Sequence, residues 1–278
     1  MSQSTASAKD ICAEVMLAFD LRKKTRRWVV VVFASLAYLV GPSCTHDSQA
    51  EYSKPHIAQI SVTGPLQSMQ EPWFQQIKHA LHNPALRGLI LHVNSPGGVV
   101  HVAEAGYQML MRLRNKGIPI VTVVQSQATS AAYLLATTSH AIYTNHTSII
   151  GSIGVKSSVT VFKNTLERVG VQVERMGVGE GLTHIPLQGI SAFTKKYLDL
   201  SGEDSYNWFK QIVQTRRKMT PKQLEAVVGG RIFTGEEALN LHLTDRIAGV
   251  AEAIELIQSV PKNRGNALRV LDYTTHEI

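Results

Sequence analysis

Short apolar runs alternate with segments of helical periodicity in most of this chain after residue 55. The runs IAQISV, RGLILHV and IPIVTVV are strand candidates, and RGLILHV is typical of a strand covered on both faces. Between them, EPWFQQIKHALHN and VVHVAEAGYQMLMRLRNKG repeat apolar residues with the period of a helix that buries one face. Strands that alternate with helices predict parallel βαβ units, so the pattern predicts an α/β fold.

The alternation continues into the middle of the chain. It predicts a helix over SAAYLLATTS, a strand over HAIYTN, a helix over VTVFKNTLERVG and a strand over VQVERMGV. From about residue 191 the pattern changes and becomes mostly helical.

The N-terminus follows a different pattern. Five positive charges in RKKTRR, residues 22–27, precede an apolar run that begins at Trp28 and reaches about Val40. Because positively charged flanks stay in the cytoplasm, this order predicts a membrane anchor with a cytoplasmic N-terminus. We expect a cytoplasmic segment over 1–27, a transmembrane signal anchor over 28–44, a linker over 45–55 and a domain over 56–278. That domain would lie outside the cytoplasm, at a bacterial-type inner membrane crossed once.

The apolar run leaves two alternatives open. It is about 13 residues long, or about 17 if it extends to Cys44, whereas a spanning helix needs about 20. A cleaved signal peptide would have the same basic and apolar segments. The sequence GPSC would also suit lipid attachment at Cys44, although it lacks the usual leucine three positions before the cysteine.

Composition and charge narrow the classes of function. The chain has 278 residues, of which 44% are hydrophobic and 18% charged, and this is typical of a globular protein. The formal net charge is +7, but RKKTRR supplies five of these charges and leaves the rest nearly neutral. Charge therefore gives no reason to expect a nucleic-acid partner. The 11 histidines and two cysteines have no H-x-x-x-H or C-x-x-C spacing, so we expect no metal and no cofactor.

The turn NSPGGVV, residues 94–100, lies where a strand candidate ends and a helix candidate begins. Gly97 and Gly98 would let the backbone turn sharply and let another segment approach closely. Their N–H groups, near a helix N-terminus, would suit a developing negative charge, which in acyl transfer means an oxyanion hole. An ordinary tight turn between a strand and a helix explains the same residues.

Ser130 occupies the matching position in the next unit, after the strand IPIVTVV and at the start of the helix SAAYLLA. Consecutive strands of a parallel sheet end side by side at the edge where ligands bind, so we expect Ser130 to meet Gly97 and Gly98. The small neighbour Ala131 would leave room for a peptide backbone. Ser130 is thus a candidate nucleophile, and the alternative is a buried serine that bonds to its own helical turn.

In this order, NSPGG, SAAY, GSIGV and GRIFTGEEALNLHLTD resemble the S49 peptidase family, the signal peptide peptidase A and SohB-like proteins of the ClpP/crotonase superfamily. The resemblance covers roughly residues 57–257, and the second block usually reads Ser-Gly-Gly-Tyr where this chain has Ser130-Ala131-Ala132-Tyr133. It implies stacked βαβ units of the ClpP/crotonase type and an N-terminal membrane anchor. It also implies a serine–lysine dyad that cleaves signal or membrane-derived peptides, and ring-like homo-oligomers whose neighbouring subunits complete the active sites.

The lysine of that dyad is missing from its expected position. An ungapped alignment from GSIGV places Leu182 where the family has its lysine, and leucine cannot accept a proton. One explanation is an inactive paralogue that binds peptides or acts as a scaffold. Another is a substitute base, either His184 or Lys156. A third is a shifted loop that brings in Lys195 or Lys196.

For three further residues, packing is a better explanation than a role in catalysis or substrate binding. His92 lies in the strand LILHV, where packing or a pore-facing position explains it better than catalysis. Trp208 and Phe209 are expected in the core or at a subunit contact rather than against substrate.

An acyl-CoA enzyme of the crotonase type is the alternative function from a different class, and the predicted anchor and the GSIGV motif argue against it. We therefore expect a membrane-anchored serine endopeptidase of the S49 type, with Ser130 as nucleophile, Gly97, Gly98 and Ala131 around the oxyanion, and His184 as a candidate base.

Overall fold

A mostly parallel β-sheet organises the computed structural model, which describes residues 51–173, 187 and 189–273. The strands are β1 (His56–Thr63), β2 (Leu86–Ser95), β3 (Ile120–Thr129), β4 (Ala141–Thr144), β5 (Ile149–Gly151), β6 (Ile232–Thr234), β7 (Arg246–Ile247) and β8 (Arg269–Asp272). The helices are α1 (Pro72–His82), α2 (Val100–Asn115), α3 (Ala131–Ala136), α4 (Lys163–Arg168), α5 (Ala192–Arg216), α6 (Pro221–Val227), α7 (Gly235–Asn240) and α8 (Val250–Ser259). The prediction of an α/β fold with a mostly parallel sheet is confirmed.

The strands lie in the order β6–β5–β3–β2–β1–β8. β4 pairs with the first half of β3, while β5 pairs with its end, and β7 pairs with β4. All of these pairings are parallel except that of β5 with β6. The carboxyl ends of β1, β2 and β3 therefore meet at one edge of the sheet, as the βαβ pattern predicts.

Helices cover both faces of the sheet, so most residues of its central strands are buried, although Gln125 and Ser126 in the second half of β3 are exposed. On one face, Ile257 of α8 packs in a cluster with Ile57, Ile90 and Val121 from three neighbouring strands. On the other face, α1, α2 and α3 pack together so closely that a side chain at Gly106 of α2 would stand 3.0 Å from Trp73 of α1 and 3.1 Å from Leu135 of α3. This packing fixes α3, the helix that begins directly after Ser130.

Two predicted elements differ from the structure. The helix expected over VTVFKNTLERVG is confined to Lys163–Arg168, and none of its residues is buried. The strand expected over VQVERMGV is not formed in its first three residues, and the remainder lies outside the described part of the chain. A short helix without a buried face gains little from packing, which explains why its periodicity overstates its length.

The predicted anchor over 28–44, Leu182 and His184 also fall outside the described residues. Within the described residues, no helix combines the length and apolar character that crossing a bilayer requires. The anchor therefore stays a prediction.

The C-terminal third braces the Ser130 region through long-range contacts. The Tyr133 hydroxyl, three residues after Ser130, is fully buried and donates a hydrogen bond of 2.8 Å to the Leu243 carbonyl oxygen. Asp245 accepts a 2.7 Å hydrogen bond from the Ile142 N–H at β4 and pairs with both terminal nitrogens of Arg217, at 2.8 and 3.0 Å. Bidentate arginine–carboxylate pairs are directional and strong, so this network holds α5, β4 and α3 in register.

Candidate active site

Ser130 occupies a strained turn between β3 and α3. Its backbone has φ 53° and ψ −124°, a conformation that side chains other than glycine rarely adopt. The surrounding hydrogen bonds hold it there: the Ser130 N–H donates to the Gly151 carbonyl oxygen at 2.8 Å, and the Leu134 N–H donates to the Ser130 carbonyl oxygen at 3.1 Å. Strained serines at strand-to-helix turns recur among hydrolytic nucleophiles because the turn exposes the hydroxyl above the sheet.

Gly97 lies directly against this turn. A side-chain carbon at Gly97 would stand 2.9 Å from the Ser130 β-carbon, 2.9 Å from the Ala131 nitrogen and 2.7 Å from the Thr129 carbonyl oxygen. Its φ of +95° is also in the region that favours glycine. The structure therefore brings together the two motifs that the sequence predicted to converge, and glycine is required for the contact.

The two glycines present their N–H groups differently. The Gly97 N–H donates a 3.1 Å hydrogen bond to the Ser95 hydroxyl, so it is engaged within its own turn rather than directed at a ligand. Leu66 donates to the Gly97 carbonyl oxygen at 2.9 Å and accepts from the Val99 N–H at 2.8 Å, as in a parallel bridge opposite Gly98. In such a bridge the residue opposite turns its own N–H away from the partner. Gly98 is thus the better placed of the two predicted donors.

Ala131 supplies a second donor beside Ser130. It is the first residue of α3, and the N–H groups in the first turn of a helix have no partner within the helix. Its nitrogen also lies against the glycine turn, since a side-chain carbon at Gly97 would come within 2.9 Å of it. Gly98 and Ala131 line the same pocket as Ser130. Two amide hydrogens beside a serine suit the oxyanion of an acyl-transfer reaction.

An open cleft of about 860 Å³ extends from Ser130. One wall comes from the segment after β5, with Ser152, Gly154 and Lys156, and another comes from α5, with Asp199 and Glu203. The volume is ample for several residues of an extended peptide, and the open form suits a chain that enters from either side.

Among the predicted bases that fall within the described residues, only Lys156 lines this cleft. Lys195 and Lys196 are exposed in the first turn of α5 and do not line it, and His184 lies outside the described residues. His92 does not line it either. Burial lowers the pKa of His92, only partly opposed by Asp272, so its ring is neutral at pH 7, in agreement with a packing role.

Sequence reasoning missed several residues of the site. Ser152, inside the GSIGV motif, has a positive φ of 52° and lines the cleft beside Ser130. Phe209 is buried, as the sequence predicted, but it and Trp208 also line a side pocket of about 20 Å³ that touches Ser130. No sequence pattern predicts the strained backbone at Ser152. The spacing of Trp208 and Phe209 indicates a packed helix face, but it does not show which part of the protein that face contacts.

No group of three or more histidine, cysteine, aspartate or glutamate side chains is placed to hold a metal ion within residues 51–173 and 189–273. The chemistry that this site offers comes from the hydroxyl, the amide hydrogens and a nearby amine. These are the parts of a serine-type acyl-transfer centre.

Comparison with known proteins agrees with this class of site. The family model for peptidase family S49 matches residues 112–262, which is more than half of the chain. This range includes Ser130, the GSIGV segment and the C-terminal brace. The chain belongs to peptidase family S49.

Individual proteases are also similar to this chain. The chain is 30% identical over 185 residues to Protease 4 of Salmonella typhi, covering 65% of this chain and 30% of that protein. It is 26% identical over 189 residues to the putative signal peptide peptidase SppA of Enterococcus faecium, covering 67% and 55%. It is 29% identical over 161 residues to the probable protease SohB of Haemophilus influenzae, covering 58% and 45%. The chain therefore spans from about a third to about half of the length of these relatives.

Replacing Gly97 by alanine tests the contact between the two turns. We expect Gly97→Ala to lower the free energy of unfolding by about 2–4 kcal/mol, because both the positive φ and the overlap with Ser130 are unfavourable. Gly265→Ala is the matched control: its φ is +81°, with open space around it, so it should cost only about 1 kcal/mol. Urea unfolding measures both values. Equal losses for the two variants would contradict the close approach at Ser130.

Proposed function

We propose that this chain is a serine endopeptidase in which Ser130 attacks the carbonyl carbon of a peptide bond. The observation that carries the proposal is the close contact of Gly97 with the Ser130 turn and with the Ala131 nitrogen, in a pocket that Gly98 also lines. Membership of peptidase family S49 supports the same reaction class. Both charged and small residues line the cleft, and this mixture suits a peptide rather than a purely apolar ligand.

The reaction would follow the acyl-enzyme route. The Ser130 hydroxyl gives its proton to a neutral base while its oxygen bonds to the carbonyl carbon, and the carbonyl oxygen becomes negative. The Gly98 and Ala131 N–H groups donate hydrogen bonds to that oxygen. Collapse releases the amine, which takes the proton, and water then cleaves the acyl-enzyme with the same base. The route needs no cofactor.

Lys156 is our candidate for the base, with His184 kept as the alternative. Lys156 shares the cleft with Ser130, and a lysine works as a base when burial makes its neutral amine accessible. Substrate or a neighbouring subunit over the cleft would supply that burial. The position of Leu182 leaves the competing proposal of an inactive paralogue that binds peptides or acts as a scaffold.

Labelling with a serine-directed fluorophosphonate, together with cleavage of unstructured peptides, tests the enzyme against the scaffold. We expect the full-length protein to be labelled and to cleave peptides, and Ser130→Ala to lose both by at least 100-fold. Ser259→Ala is the control, since its hydroxyl donates to the Leu256 carbonyl oxygen at the end of α8. Absence of labelling in the wild type would favour the scaffold.

The same assay identifies the base. If Lys156 is the base, Lys156→Ala should lower kcat at least 100-fold and Lys156→Arg should not restore it, since arginine cannot lose its proton near neutral pH. A histidine base would instead give an acidic limb in kcat/KM near pH 6.5, abolished in His184→Ala. Full activity of Lys156→Ala would exclude Lys156.

We also propose that the chain forms homo-oligomers through an apolar surface at the start of α5. Phe193, Tyr197 and Leu200 recur at helical spacing on one face and are 52%, 65% and 52% exposed. Phe162, just before α4, is 49% exposed as well. Large exposed apolar side chains in a row mark an interaction surface, and a neighbouring subunit there would lie close to the α5 wall of the cleft.

Introducing charges on this surface tests the assembly. We expect the double variant Phe193→Glu with Leu200→Glu to reduce the oligomer to monomers in analytical ultracentrifugation, because it places charges in an apolar contact. Lys195→Glu is the control, as it lies about 200° around the helix from Phe193. A wild type that is monomeric at micromolar concentration would overturn the proposal.

A membrane anchor over residues 28–44 is proposed from the basic segment that precedes the apolar run. The substrates would then be signal or membrane-derived peptides, reached from outside the cytoplasm. We expect the full chain to resist alkaline extraction from membranes, a chain beginning at residue 51 to be released, and a C-terminal reporter to report the outer side. A reporter fused after Ile278 that is active only in the cytoplasm would contradict the orientation.

A further inference from the structure

A small apolar pocket opens beside Ser130, off the larger cleft. Its volume is about 20 Å³, and Gly98, Val100, Ser130, Gly154 and Val155 line both spaces. These shared residues include the proposed nucleophile and one of the two proposed oxyanion donors. The pocket is therefore a side chamber of the cleft at the point of reaction.

The acyl residue of a substrate, whose carbonyl carbon is attacked, would direct its side chain into this pocket. Its carbonyl group must lie between Ser130 and the Gly98 and Ala131 N–H groups, and all three of these residues line the pocket. The side chain leaves from the atom next to that carbonyl carbon, so it has only a short distance to reach. The remaining wall is mostly apolar, with Ser205 as its polar member, and suits a small hydrocarbon group.

The size of the pocket limits the size of the substrate side chain that can enter it. A space of about 20 Å³ holds roughly one water-sized group, which matches the methyl group of alanine and falls well short of leucine. Ala103 and Leu134, which form part of the wall, are 0% and 3% exposed. Close-packed walls resist expansion, so a larger group would have to displace a packed side chain.

Trp208 is the wall residue that can be replaced without disturbing the core. Its ring packs edge-to-face on Tyr107 of α2, with centroids 6.1 Å apart and planes at 76°, and this contact fixes its position. Phe209, the next residue in the pocket, is 4% exposed and belongs to the core. Of the two aromatic residues, Trp208 therefore limits the pocket without also supporting the sheet.

We propose that this pocket restricts the acyl residue of the substrate to alanine or glycine, and that Trp208 is the residue that sets the limit. This inference rests on the proposed peptidase function and adds a substrate class to it: peptides cut after a small residue. Pocket-size selection of this kind discriminates by roughly tenfold or more for each excess methylene that cannot be accommodated.

A matched series of peptides that differ only in the acyl residue tests the proposal with the full-length protein. We expect kcat/KM for alanine to exceed that for leucine at least tenfold in the wild type. Trp208→Ala should raise kcat/KM for leucine at least tenfold and change that for alanine less, with Trp208→Phe intermediate and less disturbing to the fold. Ala103→Val should act in the opposite sense, lowering the rate for alanine while sparing glycine.

Binding of product-like peptides separates this proposal from the catalytic one. Peptides that end in a free carboxylate at alanine or leucine place that carboxylate at the amide hydrogens and need no turnover. If the wild type cleaves no peptide but binds the alanine peptide at least tenfold more tightly, the peptidase proposal fails and the pocket stands. The proposal that the pocket selects a small acyl residue would be overturned by equal affinities for the two product-like peptides or by equal cleavage of alanine and leucine peptides. A Trp208→Ala variant that keeps the wild-type preference would also overturn it.

Discussion

The contact between Gly97 and the Ser130 turn is the constraint on which the rest of the site depends. Two neighbouring strands, β2 and β3, end at the same edge, and their tips touch so closely that no side chain fits between them. This contact accompanies the unusual backbone of Ser130 and brings the first amide of α3 next to the glycine turn. The cleft, the pair of N–H donors and the side pocket all lie next to this contact.

A strained turn persists only where its surroundings hold it. Here the hydrogen bond to Gly151 fixes one side of Ser130, and the buried Tyr133 fixes the helix that follows. Burial raises the pKa of the Tyr133 hydroxyl, so it stays protonated and donates to Leu243 across the whole range of ordinary pH. The Arg217–Asp245 pair then joins β4 to the end of α5. The helical last third is thus a support for the site.

The sequence predicted the meeting of the glycine turn with Ser130 because strand order and the position of strand ends follow from the βαβ pattern alone. It did not predict that the Gly97 N–H bonds to the Ser95 hydroxyl, since this is a local bond within the turn that strand order does not determine. It did not predict that Trp208 also lines a pocket at Ser130, because periodicity shows that a residue packs but not against what. The base stays open for a related reason: Leu182 removes the one residue that resemblance could supply.

The brace has a consequence for how the protein is made. Tyr133 is held by a carbonyl 110 positions later in the chain, and the amide at Ile142 by a carboxylate 103 positions later. During synthesis the serine turn therefore leaves the ribosome long before the residues that secure it. A growing chain would contain the hydroxyl and the glycine turn with no firm support, and the finished geometry would form only after the residues that secure it have been made. Such an order delays assembly of a reactive centre until the domain is nearly complete.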